Sequence, residues 1–237
     1  ARRQSFVPGG SRAARSPPTA CPRRLGVGRS ASPFVSPTVP DPSSTTASHL
    51  VAPRPLEERF HELKFVLDPE PAARVEAWAA SAFGAASRRV CATTFLFLDT
   101  PGLDVARRIG DLRRERFRVR REGESPSVLL ERKTKRGDET RLRSTAVDVR
   151  DLPRLATPDL EPDWPGRRFH RHVVEHDLRP TCCVTFGRVT FGAAGGDGPV
   201  RVTLDREVRG EMGAGWAPRP IPSGADLLEG RVLVEVR

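Results

Sequence analysis

The sequence predicts an α+β domain built on one large, mostly antiparallel sheet with flanking helices and a polar interior. Three observations carry this. Many segments alternate charged and aliphatic residues with the two-residue period of a strand. Turns rich in Gly and Pro separate them. Only two stretches show helical spacing. Several strands carry charge on one face and aliphatics on the other, the reverse of a sandwich with a dry core. That pattern suits a barrel with a polar lumen and an apolar outside covered by helices.

Residues 1–54 are rich in Pro, Ser, Ala, Thr and Arg and lack periodicity, so they read as a disordered basic tail. Folded sequence is expected over 55–237. Phe60–Leu67 reads as a strand. Asp68-Pro69 is a helix start, with Asp at the N-cap and Pro in the first turn. Ala72, Val75, Ala79 and Phe83 then recur at helical spacing, which predicts a helix over 69–86. Thr93–Leu98 is a strand stopped by Asp99-Thr100-Pro101-Gly102.

Phe117–Lys135 reads as a hairpin. Arg118 and Arg120 share one face, opposite Phe117 and Val119. Glu131, Lys133 and Lys135 share another, opposite Val128, Leu130 and Arg132. Arg141–Val149 alternates again. The proline-rich stretch 151–167 reads as irregular, and a short helix follows, ending by Pro180. Cys182–Phe191, Val200–Leu204 and Arg231–Val236 are expected strands, with Gly-rich turns at 192–198 and 210–215. The turn at 192–198 lacks the Lys-Ser/Thr ending of a phosphate loop.

The chain has 237 residues, 40 Lys+Arg against 30 Asp+Glu, and a net charge of +10. Nucleic acid, polyphosphate, nucleotide and anionic membrane are all partners that such charge permits. Like charges on one strand face are destabilising unless something neutralises them. On a concave surface that something is an anion, and phosphate suits arginine because the planar guanidinium forks onto its oxygens. The four cysteines show neither metal-ligand spacing nor a disulfide framework, and read as thiols in a reducing cytoplasm. No apolar run approaches the ~18 residues of a membrane span. His170, His172 and His176 do not read as a zinc site, because positions 170 and 172 do not share a helical face. Asp99 and Asp205, at expected strand ends, read as structural.

The order of motifs adds more. Glu62-x-Lys64-Phe65 is followed by the helix, then Phe97-Leu98-Asp99-Thr100-Pro101 and Arg118-x-Arg120. Glu131-x-Lys133, Arg141-x-Arg143, Phe186-Gly187-Arg188, Arg201-x-Thr203-x-Asp205 and Glu235-x-Arg237 complete the series. Over residues 57–237 it resembles the polyphosphate polymerase domain of the vacuolar transporter chaperone (VTC) family, within the CYTH-like triphosphate tunnel metalloenzymes. The resemblance implies an antiparallel β-barrel tunnel of about eight strands, open at both ends, with a cationic lumen. It implies that Lys64, Arg118, Arg120, Lys133 and Arg188 serve catalysis, and that Arg141 and Arg201 bind phosphate from the lumen wall. Glu235, with Glu62 and Glu131, would bind Mn²⁺ or Mg²⁺.

The implied activity is transfer of the ATP γ-phosphate onto a polyphosphate chain. Hydrolysis of inorganic or nucleoside triphosphate is one alternative, and polyphosphate binding without catalysis is another. ATP and polyphosphate are the expected partners; nucleic acid is not. A cytoplasmic location and a membrane-embedded partner subunit fit the resemblance. The chain departs from the family pattern in several places. It has no Tyr; Phe97 and Phe186, or Glu122, hold the family's aromatic positions. Arg141 stands where Lys is usual. The series stops at Arg237, so the domain reads as cut short at its carboxy end.

Overall fold

A computed structural model describes residues 56–195, 198–213 and 215–237. The expected tail over 1–54 lies outside the described residues. The strands are β1 (Leu56–His61), β2 (Leu63–Leu67), β3 (Arg89–Asp99), β4 (Glu115–Glu122), β5 (Ser127–Arg136), β6 (Glu139–Asp148), β7 (Arg179–Gly195), β8 (Gly198–Met212), β9 (Ala225–Asp226) and β10 (Val232–Val236). The helices are α1 (Pro69–Phe83), α2 (Asp104–Arg107) and α3 (Arg167–Glu175).

The sheet order is β1-β6-β5-β4-β3-β7-β8-β10-β2, with β9 paired to β8. Every pairing is antiparallel. The two ends of that order, β1 and β2, are neighbours in the chain with only Glu62 between them. Residues 56–67 thus form one bent strand. Its first half pairs with β6 and its second half with β10. The sheet closes on itself as an antiparallel barrel. Counting the bent strand once and omitting the two-residue β9, the wall has eight strands. Closure pairs each long strand on both sides over part of its length, which shortens the edge that could template aggregation.

Two apolar layers cover the outside. The first joins Leu96, Leu98, Phe117, Val119, Val128 and Leu130, the aliphatic halves of the alternating strands β3–β5, to Leu152, Leu155, Trp164 and the α3 residues Phe169 and Val173. The second packs Ala72 and Ala79 of α1 on Val189, Phe191, Val202, Leu204, Val232 and Val234. Small residues on the buried stripe of α1 let the helix lie close to the barrel. Full burial of each large side chain is worth about 1.5–3 kcal/mol.

The helix expected over 69–86 ends at Phe83, because Gly84 adopts φ +79, a conformation that glycine reaches without strain. A single 3₁₀ turn at Ala85–Ser87 follows. The stretch after β6 is less irregular than expected, since Val149–Ala156 forms a 3₁₀ helix. The last two long strands run well past the expected Cys182–Phe191 and Val200–Leu204. A register shift between Thr185 and Gly187 breaks the two-residue alternation there, and Glu207 sits at φ 52. Such a bulge turns one stretch of strand relative to the next and hides its length from a periodicity reading. Among the described residues no helix is long and apolar enough to cross a membrane.

Candidate active site: the charged lumen

The inward faces of the strands enclose a chamber of about 620 Å³ lined by Arg118, Arg120, Glu131, Arg188, Arg201 and Arg237, among others. Strand parity explains the set. Arg118 and Arg120 alternate with Phe117 and Val119, which are committed to the outer core, so the arginines must face in. Glu131 stands directly opposite Arg118 in the β4–β5 register.

Almost every inward cation has a carboxylate. Arg118 Nε donates to Glu131 at 2.6 Å. Arg120 lies 2.9 Å from the other Glu131 oxygen and 3.0 Å from Glu122. Its contact with Glu131 is a charge contact, not a well-angled hydrogen bond, and Arg120 Nε stays buried without a hydrogen-bond partner. Arg188 forks onto Asp205 with two bonds of 2.7 Å. Beneath these arginines lie phenylalanine rings: Arg118 is 3.9 Å from the Phe95 centroid and Arg188 is 4.9 Å from that of Phe186. Guanidinium stacking of this kind fixes the forks in place.

A second cluster forms where the bent strand meets β10. Lys133 donates to Glu62 at 2.7 Å, and Lys64 donates to Glu235 at 2.8 Å. Lys64 also lies 3.7 Å from Glu62. Arg237 pairs with Glu235 and lies 3.4 Å from Glu62, while its guanidinium is 4.4 Å from the Phe60 centroid. Glu62 can reach so many partners because it occupies the break between β1 and β2. Burial alone would raise the Glu235 carboxyl, but the charges of Arg237 and Lys64 and the bond from Lys64 help to outweigh it and hold the group below the usual carboxylate range. Glu131 behaves alike: burial opposes ionisation, and Arg118 and Arg120 overcome it.

Lys133 is pushed down to about 8, chiefly by burial; the bond to Glu62 resists the shift and the Lys64 charge adds to it. The unfolded pKa of lysine is about 10.4. The charged form therefore costs stability below pH 8, and the cost fades between the two values. Anion binding has the opposite sense, because the ammonium is present below about pH 8 and lost above it. Tripolyphosphate affinity is expected to fall as pH rises through that value. Lys133→Arg, which does not titrate there, should flatten the alkaline limb in calorimetric titrations from about pH 7 to 9.5. An unchanged limb in this variant would assign the dependence to another group.

The structure thus gathers Lys64, Arg118, Arg120, Lys133, Arg188, Glu62, Glu131 and Glu235 on the inner side of the barrel. Arg201 lines the open part of the chamber and has no ion pair among the described residues. Arg141 is a correction. It lies on the outer face of β6, where Glu57 accepts from it at 2.7 Å, and the lumen-facing residues of that strand are Leu142, Ser144 and Ala146. The motif Arg141-x-Arg143 shows that both arginines share a face, but not which face that is.

Asp205 is 3% exposed and serves as the partner of Arg188; it lies within β8, not at its end. Asp99 is structural as expected, accepting backbone N–H bonds from Thr100, Val105 and Ala106 around α2. Arg237 had no assigned site role in the sequence reading, although its spacing from Glu235 places it on the same face. Thr203 was quoted only as part of a motif. Its Oγ1 is buried without a partner and it lines the chamber.

Two groups of donors could hold a metal. The carboxylates of Glu62 and Glu235 both meet Lys64, and such oxygen donors suit a hard divalent ion that completes its shell with substrate oxygens. Glu131 is engaged by Arg118 and Arg120 and does not join them in one compact set. The other group, His172, Glu175 and His176, has compact spacing, but its chemistry disagrees. Arg132 lies 2.7 Å from His172 Nε2 and can only donate, so the neutral ring carries its proton on Nδ1, facing Glu175.

The site is thus an antiparallel barrel whose lumen is lined by paired cations and carboxylates. The VTC domain model matches residues 59–236, and the chain belongs to that family. A candidate adenylate cyclase from Bacillus halodurans is similar at 10% identity and TM-score 0.46, over 76% of this chain and 80% of that one. A candidate adenylyl cyclase from Hippeastrum with a dominant triphosphatase activity is similar at 17% identity and TM-score 0.40, over 74% and 77%. No curated protein sequence matches the chain.

Proposed function

We propose that the lumen transfers the γ-phosphoryl group of ATP onto the end of a polyphosphate chain, with Mn²⁺ or Mg²⁺ as cofactor. The observation that carries this reading is the state of the chamber. Most of its cations are held by carboxylates, yet Thr203 Oγ1 is buried without a partner and Arg201, which lines the chamber, has no ion pair among the described residues. A phosphate oxygen supplies acceptors to both. Phosphoryl transfer asks mainly for positioning and charge stabilisation, and a fixed cationic wall provides these.

In this reading Arg118, Arg120 and Arg188 grip the phosphates of donor and acceptor, and Arg201 meets the incoming chain. Lys133 and Lys64 place the transferring group. Glu62 and Glu235 would hold the metal, which would supply positive charge to stabilise the phosphoryl transfer. A terminal polyphosphate oxygen, already ionised, attacks the γ-phosphorus. The bond between that phosphorus and the β–γ bridging oxygen breaks, and ADP leaves. No protein base is required, because the nucleophile carries no proton that must be removed.

The test is incubation of the full chain with ATP and Mn²⁺, following polyphosphate length and free phosphate together. Chains that lengthen, and that fail to do so in Arg118→Ala, are expected. Phosphate release without chains would replace the polymerase reading with a triphosphatase. Tight polyphosphate binding without either product would make the barrel a binding module.

A further inference from the structure

The outer wall of the barrel concentrates charge in a way its neighbours do not balance. Five arginines, Arg59, Arg132, Arg136, Arg141 and Arg143, line one cavity of about 230 Å³ on β1, β5 and β6. In the strand registers Arg132 stands directly opposite Arg143, and Arg141 directly opposite Arg59. Like charges in directly opposed positions on one face destabilise a sheet. Here two such pairs lie side by side.

The carboxylates nearby cover only part of this. Glu57 accepts from Arg141 and Arg143, each at 2.7 Å. Glu115 accepts two bonds from Arg132, at 2.9 and 3.1 Å. Glu139 approaches Arg59 at 3.9 Å. Arg136 has no ion pair among the described residues, and Arg141 Nε is buried without a hydrogen-bond partner. Three carboxylates therefore face five guanidinium groups, and one donor is left unmade.

We propose that this groove is a second oxyanion site, outside the lumen and separate from it, for the phosphate groups of a small phosphorylated anion. Guanidinium forks converging from three adjacent strands match tetrahedral oxyanions. The cavity is smaller than the ~300 Å³ at which drug-sized pockets begin, so it takes one or two phosphate groups and not a whole nucleotide. Glu57 competes with the ligand for Arg141 and Arg143. That gives two substitutions with opposite effects.

Calorimetric titration of the full chain with inorganic pyrophosphate at about 150 mM salt, where exposed charges are screened, is the test. Two binding events are expected. Arg118→Ala should weaken the lumen event alone. The double variant Arg59→Ser/Arg143→Ser should weaken the other by about tenfold or more while leaving turnover of ATP unchanged. Glu57→Gln should tighten that same event, and it carries the test if the double variant does not fold. A single event that Arg118→Ala removes would overturn the proposal, and so would an outer event indifferent to Glu57→Gln. Neither result bears on whether the lumen is a polymerase, which the ATP assay decides separately.

Discussion

Glu235→Gln is expected to stop turnover while polyphosphate stays bound. The side chain is 3% exposed and meets Lys64 and Arg237, with Glu62 close by. The amide keeps the shape and one oxygen but loses the charge that a divalent ion requires. A loss of about 10²- to 10³-fold in kcat is expected, the range for removing one group that stabilises transition-state charge. Affinity for polyphosphate should hold or rise, since a competing anion has left the lumen. Both quantities are read from one preparation, by phosphate release and by calorimetry. Equal losses in binding and turnover would make Glu235 an organiser of Lys64 and Arg237 instead of a metal ligand.

Glu131→Ala should be the most destabilising single change in the lumen. One carboxylate, 1% exposed, neutralises both Arg118 and Arg120. Without it two guanidinium groups, 14% and 24% exposed, stand side by side on β4 without their shared counter-charge. Breaking a buried pair from one side costs about 3 kcal/mol, or roughly 6–12 °C in Tm for a domain of this size. The ionised carboxylate is held below its ordinary pKa, so its contribution is present above about pH 4.3 and lost only as pH falls through the folded value. An added polyanion replaces the missing charge. Tripolyphosphate should therefore raise the Tm of the variant by more than that of the native chain. A variant as stable as the native chain would show that water in the lumen already screens these arginines.

The hairpin was legible in the sequence because the period of two assigns Arg118, Arg120, Glu131 and Lys133 to one side and their apolar neighbours to the other. The α1 boundaries were legible from Asp68-Pro69 and less so at Gly84, whose conformation no periodicity reports. Arg141 was misplaced for a physical reason. The arginines of β6 were assigned to the lumen, but the outer face of that strand opens onto the groove, so they sit outside and Leu142 faces in. Asp205 meets Arg188 through the register of the β7–β8 hairpin and Arg237 approaches Glu62 across the seam, and a periodicity pattern contains neither contact. The extent of β7 and β8 was hidden by the bulge at Thr185–Gly187.

The bend at Glu62 also sets a schedule for synthesis. The second half of the bent strand waits for β10, and Lys64 and Glu235, joined across that seam, are 171 residues apart. Contacts of such high sequence separation form late, because the entropy of closing the loop precedes any reward. A ribosome adding ~5–20 residues per second leaves β2 with a bare edge for many seconds before β10 emerges, and the edge of β8 for a second or a few. Exposed Leu63 and Phe65 lie on that waiting edge. The nascent barrel is thus vulnerable to chaperone capture or misassociation until β10 arrives, and that late pairing is the one that assembles the Glu62–Glu235 cluster.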